Sequence, residues 1–245
     1  MSATFTAATA LRVLNQLRRD PRTMLLIVGV PCLLEALLKE IFVGHALVFQ
    51  HVGAPLLGIF PFVSMFVVTS VTMLRERTTG TMERLMSMPI GKLDLLGGYA
   101  AAFALVAVAQ AAVVSTLAFG PLGLHVAGAR WAVVALAVGN ATLGMSLGLF
   151  VSAFATTEFQ AVQFMPAIVL PQLLLSGLFA ARAQMAHWLQ LVSDALPLTY
   201  AYDALARVAH GGAYSGRFGL DVGVTVGATI VALALGAATL RRRTD

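Results

Sequence analysis

Six apolar runs, each about long enough to cross a bilayer as a helix, limit what this chain can fold into. A membrane-spanning helix needs about 20 consecutive, mostly apolar residues. The runs are Thr23–Val43, Ala54–Leu74, Gly97–Phe119, Trp131–Ala155, Phe159–Leu178 and Phe218–Leu240. Only 11% of the residues are charged and the mean hydropathy is +0.87, which is too little charge to cover a soluble domain of 245 residues. We therefore predict an all-α membrane protein with about six transmembrane helices.

Two segments outside these runs have helical character of their own. Leu and Val alternate with Arg, Asn and Gln over residues 7–20, which predicts an amphipathic helix lying along the membrane interface. Residues 179–214 are too apolar for a free loop and too interrupted for a span, so we expect short re-entrant helices there. Because more than twenty polar or amphipathic residues precede the first run, we expect it to be retained as a span. Residues 1–245 then form one transmembrane domain.

The segment between the second and third runs, Arg75–Pro89, carries five charged residues and cannot lie in hydrocarbon. We expect Gly80 to end the helix that arrives from the membrane. Thr81 is expected to cap a short amphipathic helix over residues 81–88, which Pro89 ends. A short helix held between two spans could be bound by a partner protein at the membrane surface. The simpler alternative is a charged turn that only fixes the orientation of the spans.

The distribution of Lys and Arg predicts that orientation, because cytoplasmic loops carry an excess of these residues. With both termini inside, eleven of the 16 lie in the cytoplasm: Arg12, Arg18, Arg19, Arg22, Arg75, Arg77, Arg84, Lys92, Arg241, Arg242 and Arg243. The other five are Lys39, Arg130, Arg182, Arg207 and Arg217. We therefore expect an even number of spans, with the charged segment in the cytoplasm and residues 179–214 outside.

Three polar residues inside the spans call for partners. Glu35 lies four residues before Lys39 on one helical face, the favourable order for an ion pair. An ionisable residue at this depth is also a candidate for a transport pathway. Gln110 and Asn140 are expected to form interhelical hydrogen bonds rather than ligand contacts.

Small residues and prolines predict how three of the spans pack. Four-residue spacing, which allows close contact between helices, occurs at Gly144 and Gly148 and again at Gly219, Gly223 and Gly227. Pro166 and Pro171 predict a kinked or broken fifth span.

No set of motifs in the sequence is sufficient for catalysis. No Gly-x-x-x-x-Gly-Lys-Ser/Thr loop occurs, and the five histidines lack metal-ligand spacing. A single Gly-x-Ser-x-Gly match, Gly144 to Gly148, lies inside the apolar run Trp131–Ala155 rather than at a strand-to-helix turn. No His-Glu-x-x-His motif occurs, and the spans lack the dense carboxylates of an ion-driven carrier. No basic patch with exposed aromatics indicates nucleic-acid binding. If the chain moves a substrate uphill, the energy must come from a partner.

Two stretches carry recognisable patterns. The first is Glu76-Arg77-x-x-Gly80-Thr81-x-Glu83-Arg84-Leu85-x-x-x-Pro89. The second contains Ser176-Gly177, Trp188-Leu189-Gln190 and Leu196-Pro197-Leu198-Thr199-Tyr200-Ala201-Tyr202-Asp203-Ala204-Leu205. In a six-span frame, they resemble the cytoplasmic and outer segments of ABC transporter permeases of the type-2 exporter family, which includes drug-resistance and polysaccharide exporters.

The resemblance implies a half-transporter in the plasma (inner) membrane. Two permease subunits, identical or related, would form the pathway, and two separate ABC ATPase subunits would bind ATP and magnesium. This chain would bind no cofactor and would not itself be an enzyme. Residues 81–88 would be the coupling helix, seated in a groove of the ATPase, and Thr156-Thr157-Glu158 a lesser contact. The residues assigned to ATPase coupling are Glu76, Gly80, Thr81, Glu83, Arg84, Leu85, Pro89 and Glu158.

Candidate residues of the substrate pathway or gate are Glu35, Asn140, Phe164, Pro166, Pro171 and Gln172. The scarcity of charge in the spans favours an amphipathic or hydrophobic cargo, a drug or a lipid-like molecule. An adaptable lining could come from Met65, Phe66, Met145, Phe154, Phe164 and Met165, although ordinary packing is their simpler role. The alternatives are a polysaccharide or lipid-linked glycan export permease and a secondary carrier that works without a partner. An intramembrane enzyme would need a nucleophile or metal cluster at span depth.

Overall fold

A computed structural model describes residues 3–87, 91–212, 214 and 216–239, without the side chains of Glu83 and Met86. These residues form helices and no strand, which confirms the predicted all-α membrane protein. The α-helices are α1 (Ala3–Arg18), α2 (Pro21–Ile41), α3 (Ala46–Thr78), α4 (Thr81–Ser87), α5 (Lys92–Phe119), α6 (Arg130–Val151), α7 (Glu158–Phe164), α8 (Leu170–Leu175), α9 (His187–Asp194), α10 (Pro197–Ala209) and α11 (Gly216–Ala238). A π-helix, Met165–Val169, joins α7 to α8, and a 3₁₀ turn, Arg182–Gln184, precedes α9.

Within the described residues, five helices are long and apolar enough to cross a membrane. They are α3, α5, α6, the helix Glu158–Leu175 that combines α7, the π-helix and α8, and α11. Helix α2 has 21 residues but is not among the five, and it carries Arg22, Glu35, Lys39 and Glu40. The first predicted span therefore stays a prediction.

Contacts between distant segments define the two ends of the bundle. At one end, Arg75 of α3 pairs with Glu158 of α7, and Arg77 donates to the Thr239 hydroxyl after α11. This end, formed by α1, α4 and the connection 152–157, is called the α4 end below. At the other, the α10 end, the amide of Ala127 donates to the carbonyl of Ala209 over 2.8 Å.

Helices α3 and α6 form the centre of the bundle. A Cβ atom on Gly144 would stand 2.1 Å from the carbonyl oxygen of Phe62, and one on Gly148 would stand 2.4 Å from that of Phe66. The close contact predicted from the spacing of these glycines is confirmed. The glycines with the same spacing on α11 make no such contact. A Cβ added to Gly219, Gly223 or Gly227 would have no atom within 4 Å.

The side-chain amides of Gln110 and Asn140, both inside predicted spans, differ in their hydrogen bonds. Gln110 donates to the carbonyl of Ile27 over 2.6 Å and to the Ser64 hydroxyl, which confirms its predicted interhelical role. Pro31, four residues after Ile27, has no N–H with which to bond that carbonyl, so the amide replaces a missing helix bond. Asn140 is buried, but its amide nitrogen has no hydrogen-bond partner among the described residues. The interhelical hydrogen bond predicted for Asn140 is therefore not made by that nitrogen.

The predicted ion pair between Glu35 and Lys39 is not formed. Glu35 is 0% exposed and lies with Ile27 and Pro31 on the buried stripe of α2, which packs against α3 and α5. Neither carboxyl oxygen has a hydrogen-bond partner in the described part of the chain. The Lys39 amine lies instead 5.0 Å from the centre of the Phe49 ring, where it makes a cation–π contact.

The fifth predicted span is deformed as the prolines predicted. Rather than breaking, the helix widens into one π-helical turn, Met165–Val169, with Pro166 inside it and Pro171 just after it. A proline has no N–H to donate to the carbonyl four residues back. In a π turn, each N–H bonds the carbonyl five residues back instead of four, so the pairing of backbone groups shifts by one residue. Pro166 and Pro171 are both exposed on the bundle surface.

Candidate functional site

The chain reverses direction between α3 and α4 at Gly80, which has a positive φ of 73°. Glycine adopts this left-handed conformation without strain, so it suits the end of a helix. The amide of Arg84 donates to the carbonyl of Gly80 over 3.1 Å. Gly80, rather than the predicted Thr81, is therefore the N-cap of α4. The Thr81 hydroxyl bonds the hydroxyl of Thr79 over 3.1 Å, which ties the two ends of the turn together.

The apolar side of α4 packs onto this chain. Met82 is 3% exposed, and Leu85 packs partly against the same cluster. That cluster joins α1, α3 and α5 and includes Val13, Leu17, Met73, Leu95 and Tyr99. Burial of one such side chain contributes about 2 kcal/mol, so α4 is held firmly to the bundle. Arg84 and Ser87 are exposed. The side chain of Glu83 and the whole of Pro89, both predicted to act in coupling, lie outside the described residues.

Glu76, in the last turn of α3, bonds to the first helix of the chain. Its side chain is only 7% exposed, and its Oε1 atom accepts from Arg12 Nη1 and from Gln16 Nε2, each over 3.2 Å. Arg12 Nη2 also donates to the hydroxyl of Tyr99 on α5. We expected Glu76 to contact an ATPase, but α1 covers it. In the structure it joins α1, α3 and α5.

Arg12 is the charged centre of this network. Burial of its guanidinium would lower the pKa of Arg12, but the neighbouring Tyr99 and Glu76 raise it above the ordinary value. The group is therefore charged and bonds a carboxylate in a partly desolvated place, where charge-assisted hydrogen bonds are strongest. Sequence reasoning missed Arg12, Gln16 and Tyr99 as site residues. The polar face of the predicted amphipathic helix was the available signal, but it did not identify a partner.

A second link joins α3 to α7. Arg75 Nε lies 2.7 Å from Glu158 Oε1, and its Nη2 lies 2.9 Å from Oε2. This two-pronged geometry fixes the relative positions of the helix ends, although both side chains are about half exposed and the pair adds little stability. Glu158, predicted as a lesser contact with the ATPase, thus has a partner within the chain.

Two apolar cavities in the described part of the chain do not bring the predicted pathway residues together. A cavity of about 370 Å³, called the lateral groove, lies between α2, α3 and the π-helix and includes Leu26, Val30, Phe60, Val63 and Met165. Asn140 lines a different cavity. Glu35, Phe164, Pro166, Pro171 and Gln172 line neither of them. Gln172 is buried and donates to the carbonyl of Ile168 over 3.2 Å.

A polar cavity of about 450 Å³ lies at the α10 end, and its lining includes His51, Arg182, Tyr202 and Asp203. Arg182 lies between Asp194 and Asp203, at 3.4 and 3.5 Å. Burial raises the pKa of the Asp203 carboxyl above its ordinary value, and the charge of Arg182 opposes that shift. The sequence signalled this site only through the charges scattered over residues 179–214.

These features define a multi-pass helical membrane protein with one short, partly exposed helix fixed between two spans at one end of the bundle. Comparison with known proteins gives the family. The sequence profile of the ABC-2 type transporter family matches residues 5–209, and the chain belongs to that family. The protein is thus a permease of the type-2 ABC class.

Two relatives illustrate how far the similarity extends. ABC transporter G family member 20 of Dictyostelium discoideum is 26% identical over 141 residues, which are 58% of this chain and 19% of that protein. Probable multidrug ABC transporter permease YbhR of Escherichia coli K12 is 27% identical over 159 residues, which are 62% of this chain and 42% of the relative. The chain thus matches less than half the length of either relative.

Proposed function

We propose that this chain is the membrane-spanning subunit of an ATP-driven exporter and that ATP hydrolysis takes place in a separate subunit. The observation that carries the proposal is α4, a short helix with exposed Arg84 and Ser87 on one side and buried Met82 on the other. Its exposed side is free for a partner, while its buried side is joined to three other helices.

Force applied to α4 would be distributed through the links at the α4 end. Met82 contacts the cluster that joins α1, α3 and α5. The Arg12–Glu76 pair joins α1 to α3, and the Arg75–Glu158 pair joins α3 to α7. Because packed helices transmit displacement with little compression, α3 would carry the movement to α6 across their close contact. The π-helix beyond α7 would then be the element that changes conformation.

The assembly we propose contains two permease subunits, identical or related, and two ABC ATPase subunits docked beneath them. The α4 end is cytoplasmic in this arrangement, as the distribution of Lys and Arg predicts. Thr81, Glu83, Arg84 and Leu85 would form or support the docking surface. Glu76 would position α4 from within rather than touch the ATPase. ATP and magnesium would reside in the partner subunits.

For the cargo, we propose an amphipathic or hydrophobic molecule, a drug or lipid-like compound. The lateral groove supports this, because nearly all of its lining is apolar and flexible Met165 lies within it. The printed name of the Escherichia coli relative, a probable multidrug permease, points the same way. Export of a polysaccharide or lipid-linked glycan is the second candidate, and the polar cavity with Arg182 and Asp203 favours it.

Affinity purification in mild detergent tests the partnership. We expect an ABC ATPase to co-purify with the chain and Arg84→Gln to reduce its amount several-fold. The matched control is Gln184→Glu, which changes the net charge by the same amount at an exposed position of the α10 end and should leave the amount unchanged. Absence of an ATPase from the unaltered chain, or equal loss in both variants, would contradict the proposal.

The cargo is tested by stimulation of the ATPase in the purified complex. Lipophilic drugs should raise the hydrolysis rate if the lateral groove receives the cargo, and Val63→Trp, which fills the groove, should reduce that effect. Stimulation by polyprenyl-linked sugars but not by drugs would favour the glycan exporter instead.

A further inference from the structure

Two histidines from distant parts of the chain meet at the α10 end. His51 lies in the second turn of α3, and His210 is the C-cap residue of α10. Their ring centres are 4.3 Å apart, and the ring planes are tilted by 43°. The two facing nitrogens, His51 Nδ1 and His210 Nε2, are only 2.7 Å apart. Both residues are exposed, so an ion in the surrounding water can reach these nitrogens.

A second hydrogen bond determines which nitrogen of His210 carries the proton. Its Nδ1 atom lies 2.6 Å from the carbonyl oxygen of Ala206. Because a carbonyl oxygen only accepts, Nδ1 must donate, and in the neutral ring Nε2 then keeps its lone pair. The N–H at His51 Nδ1 donates to that lone pair. Histidines that hold a metal ion usually donate their other N–H to a carbonyl or carboxylate in this way, so His210 is oriented as a metal ligand is.

The pair needs little movement to hold an ion. Two imidazole nitrogens bound at about 2.0–2.1 Å to one tetrahedral zinc ion are roughly 3.3 Å apart, which is about 0.6 Å more than the separation of His51 Nδ1 and His210 Nε2. Small rotations of two exposed side chains supply this difference. The proton on His51 Nδ1 moves to Nε2 of the same ring. Both rings then stay neutral, and each offers one lone pair to the ion.

The positive charges near the pair are compensated. Arg182, which lines the polar cavity together with His51, lies within 3.5 Å of two aspartate side chains. Arg207, one turn before His210, pairs with Asp221 at 3.6 Å. The polar cavity of about 450 Å³ has room for the water molecules that a metal ion with few protein ligands retains.

We propose that His51 and His210 bind one divalent transition-metal ion of the zinc type. Imidazole nitrogen is a preferred ligand of Zn²⁺, Ni²⁺ and Cu²⁺. The described residues contain no group of three or more His, Cys, Asp or Glu that could hold a metal, so water completes the coordination. A bound ion joins the start of α3 to the end of α10. This site requires neither an ATPase nor a cargo.

Isothermal titration calorimetry of the purified full chain with Zn²⁺, at about pH 7.5 where histidine is neutral, tests the site. We expect one saturable site per chain. His51→Asn and His210→Asn should each weaken the affinity about tenfold or more, because one of the two ligands is lost. His187→Asn is the matched control. It removes an exposed histidine at the start of α9 and should bind Zn²⁺ like the parent.

Two further measurements separate the pair from nonspecific binding. Electron paramagnetic resonance with one equivalent of Cu²⁺ should show two nitrogen ligands in the parent and fewer in His51→Asn and in His210→Asn. Zn²⁺ should raise the melting temperature of the parent and of His187→Asn, but not of the other two variants, because only a folded site binds the ion. Melting temperatures without metal check that all four proteins fold.

Equal Zn²⁺ affinity and stoichiometry in the parent, His51→Asn and His210→Asn would overturn the proposal, because the ion would then be held elsewhere. Absence of saturable binding up to about 1 mM Zn²⁺ would also overturn it and would leave the two rings as a hydrogen-bonded pair only. Neither result bears on the proposed exporter, because no ATPase takes part in the titration.

Discussion

Glu35 and Glu76 are both buried carboxylates, but their surroundings give them opposite effects. Glu76 accepts hydrogen bonds from Arg12 and Gln16, so its burial is compensated. Glu35 has no such partner among the described residues and lies on the packed face of α2. A buried polar group costs free energy unless it is hydrogen-bonded. Glu76 therefore stabilises the contact between helices, and Glu35 opposes packing.

We expect Glu76→Ala to lower the free energy of unfolding in detergent by about 2 kcal/mol, because it leaves the half-buried Arg12 without its carboxylate. Arg12→Ala should cost a similar amount. The double variant should lose clearly less unfolding free energy than the sum of the two single losses, because both substitutions remove the same interaction. Thermal or chemical unfolding of the four proteins measures this coupling. Strict additivity would show that the pair does not interact.

Glu35→Leu should raise the melting temperature of the purified chain, because an apolar side chain replaces an uncompensated carboxyl. Gln110→Leu is the matched control, and it should lower the melting temperature because the carbonyl of Ile27 loses its donor. If Glu35 also serves the transport pathway, for which it is a candidate, Glu35→Leu will be stable but inactive in transport. A lower melting temperature for Glu35→Leu would mean that the carboxyl has a stabilising partner.

The partners of these residues could be predicted only in part. That Gln110 would bond across helices followed from its place in an apolar run. That Glu76 would turn inward did not, because a charge near a predicted loop is ordinarily solvated. Its burial depends on α1 packing back over the end of α3, a contact between residues 64 positions apart. Local sequence patterns carry no signal for such a contact.

At the scale of helices, glycines at four-residue spacing pack closely on one helix and not on another. On α6, Gly144 and Gly148 meet the backbone of α3. On α11, Gly219, Gly223 and Gly227 meet open space. The spacing shows that a close approach is possible, but only the neighbouring helix determines whether it takes place. For the same reason the prolines predicted a distorted fifth span but not its π-helical turn.

Gly144→Ala should destabilise the chain strongly, by about 2 kcal/mol or more, because the new methyl group would overlap the carbonyl of Phe62 and force α3 and α6 apart. Gly139→Ala, five residues earlier on the same helix, is the control. It should be neutral or slightly stabilising, since alanine favours a helix by up to about 1 kcal/mol over glycine and no atom is near its Cβ. Equal unfolding midpoints for the two variants would contradict the packing described.

For the whole molecule, the orientation in the membrane links the sequence to the function. Within the residues that the structure describes, the side predicted to hold the excess of Lys and Arg is the end that carries α1 and α4. The all-helical architecture could be predicted because it follows from apolar run lengths alone. The separation of the lateral groove from Asn140 could not, since cavities arise from the three-dimensional packing of distant helices.

Labelling of single cysteines tests the orientation. In a Cys32→Ser background, Ser87→Cys places a thiol at the α4 end and Gln184→Cys places one at the α10 end, both at exposed positions. We expect a membrane-impermeant maleimide to label Gln184→Cys in cells with an intact inner membrane and to label Ser87→Cys only after that membrane is opened. The reverse pattern would place α4 outside, where no cytoplasmic ATPase could reach it.

We propose that nucleotide hydrolysis by a partner displaces α4 and thereby moves a substrate. Reconstitution of the chain into liposomes, with and without its co-purified ATPase, tests this most directly through accumulation of a transported compound against its gradient. We expect accumulation only with the ATPase and ATP together, and a several-fold loss when Arg84→Gln replaces the natural chain. Accumulation by the permease alone, without ATP, would contradict this mechanism.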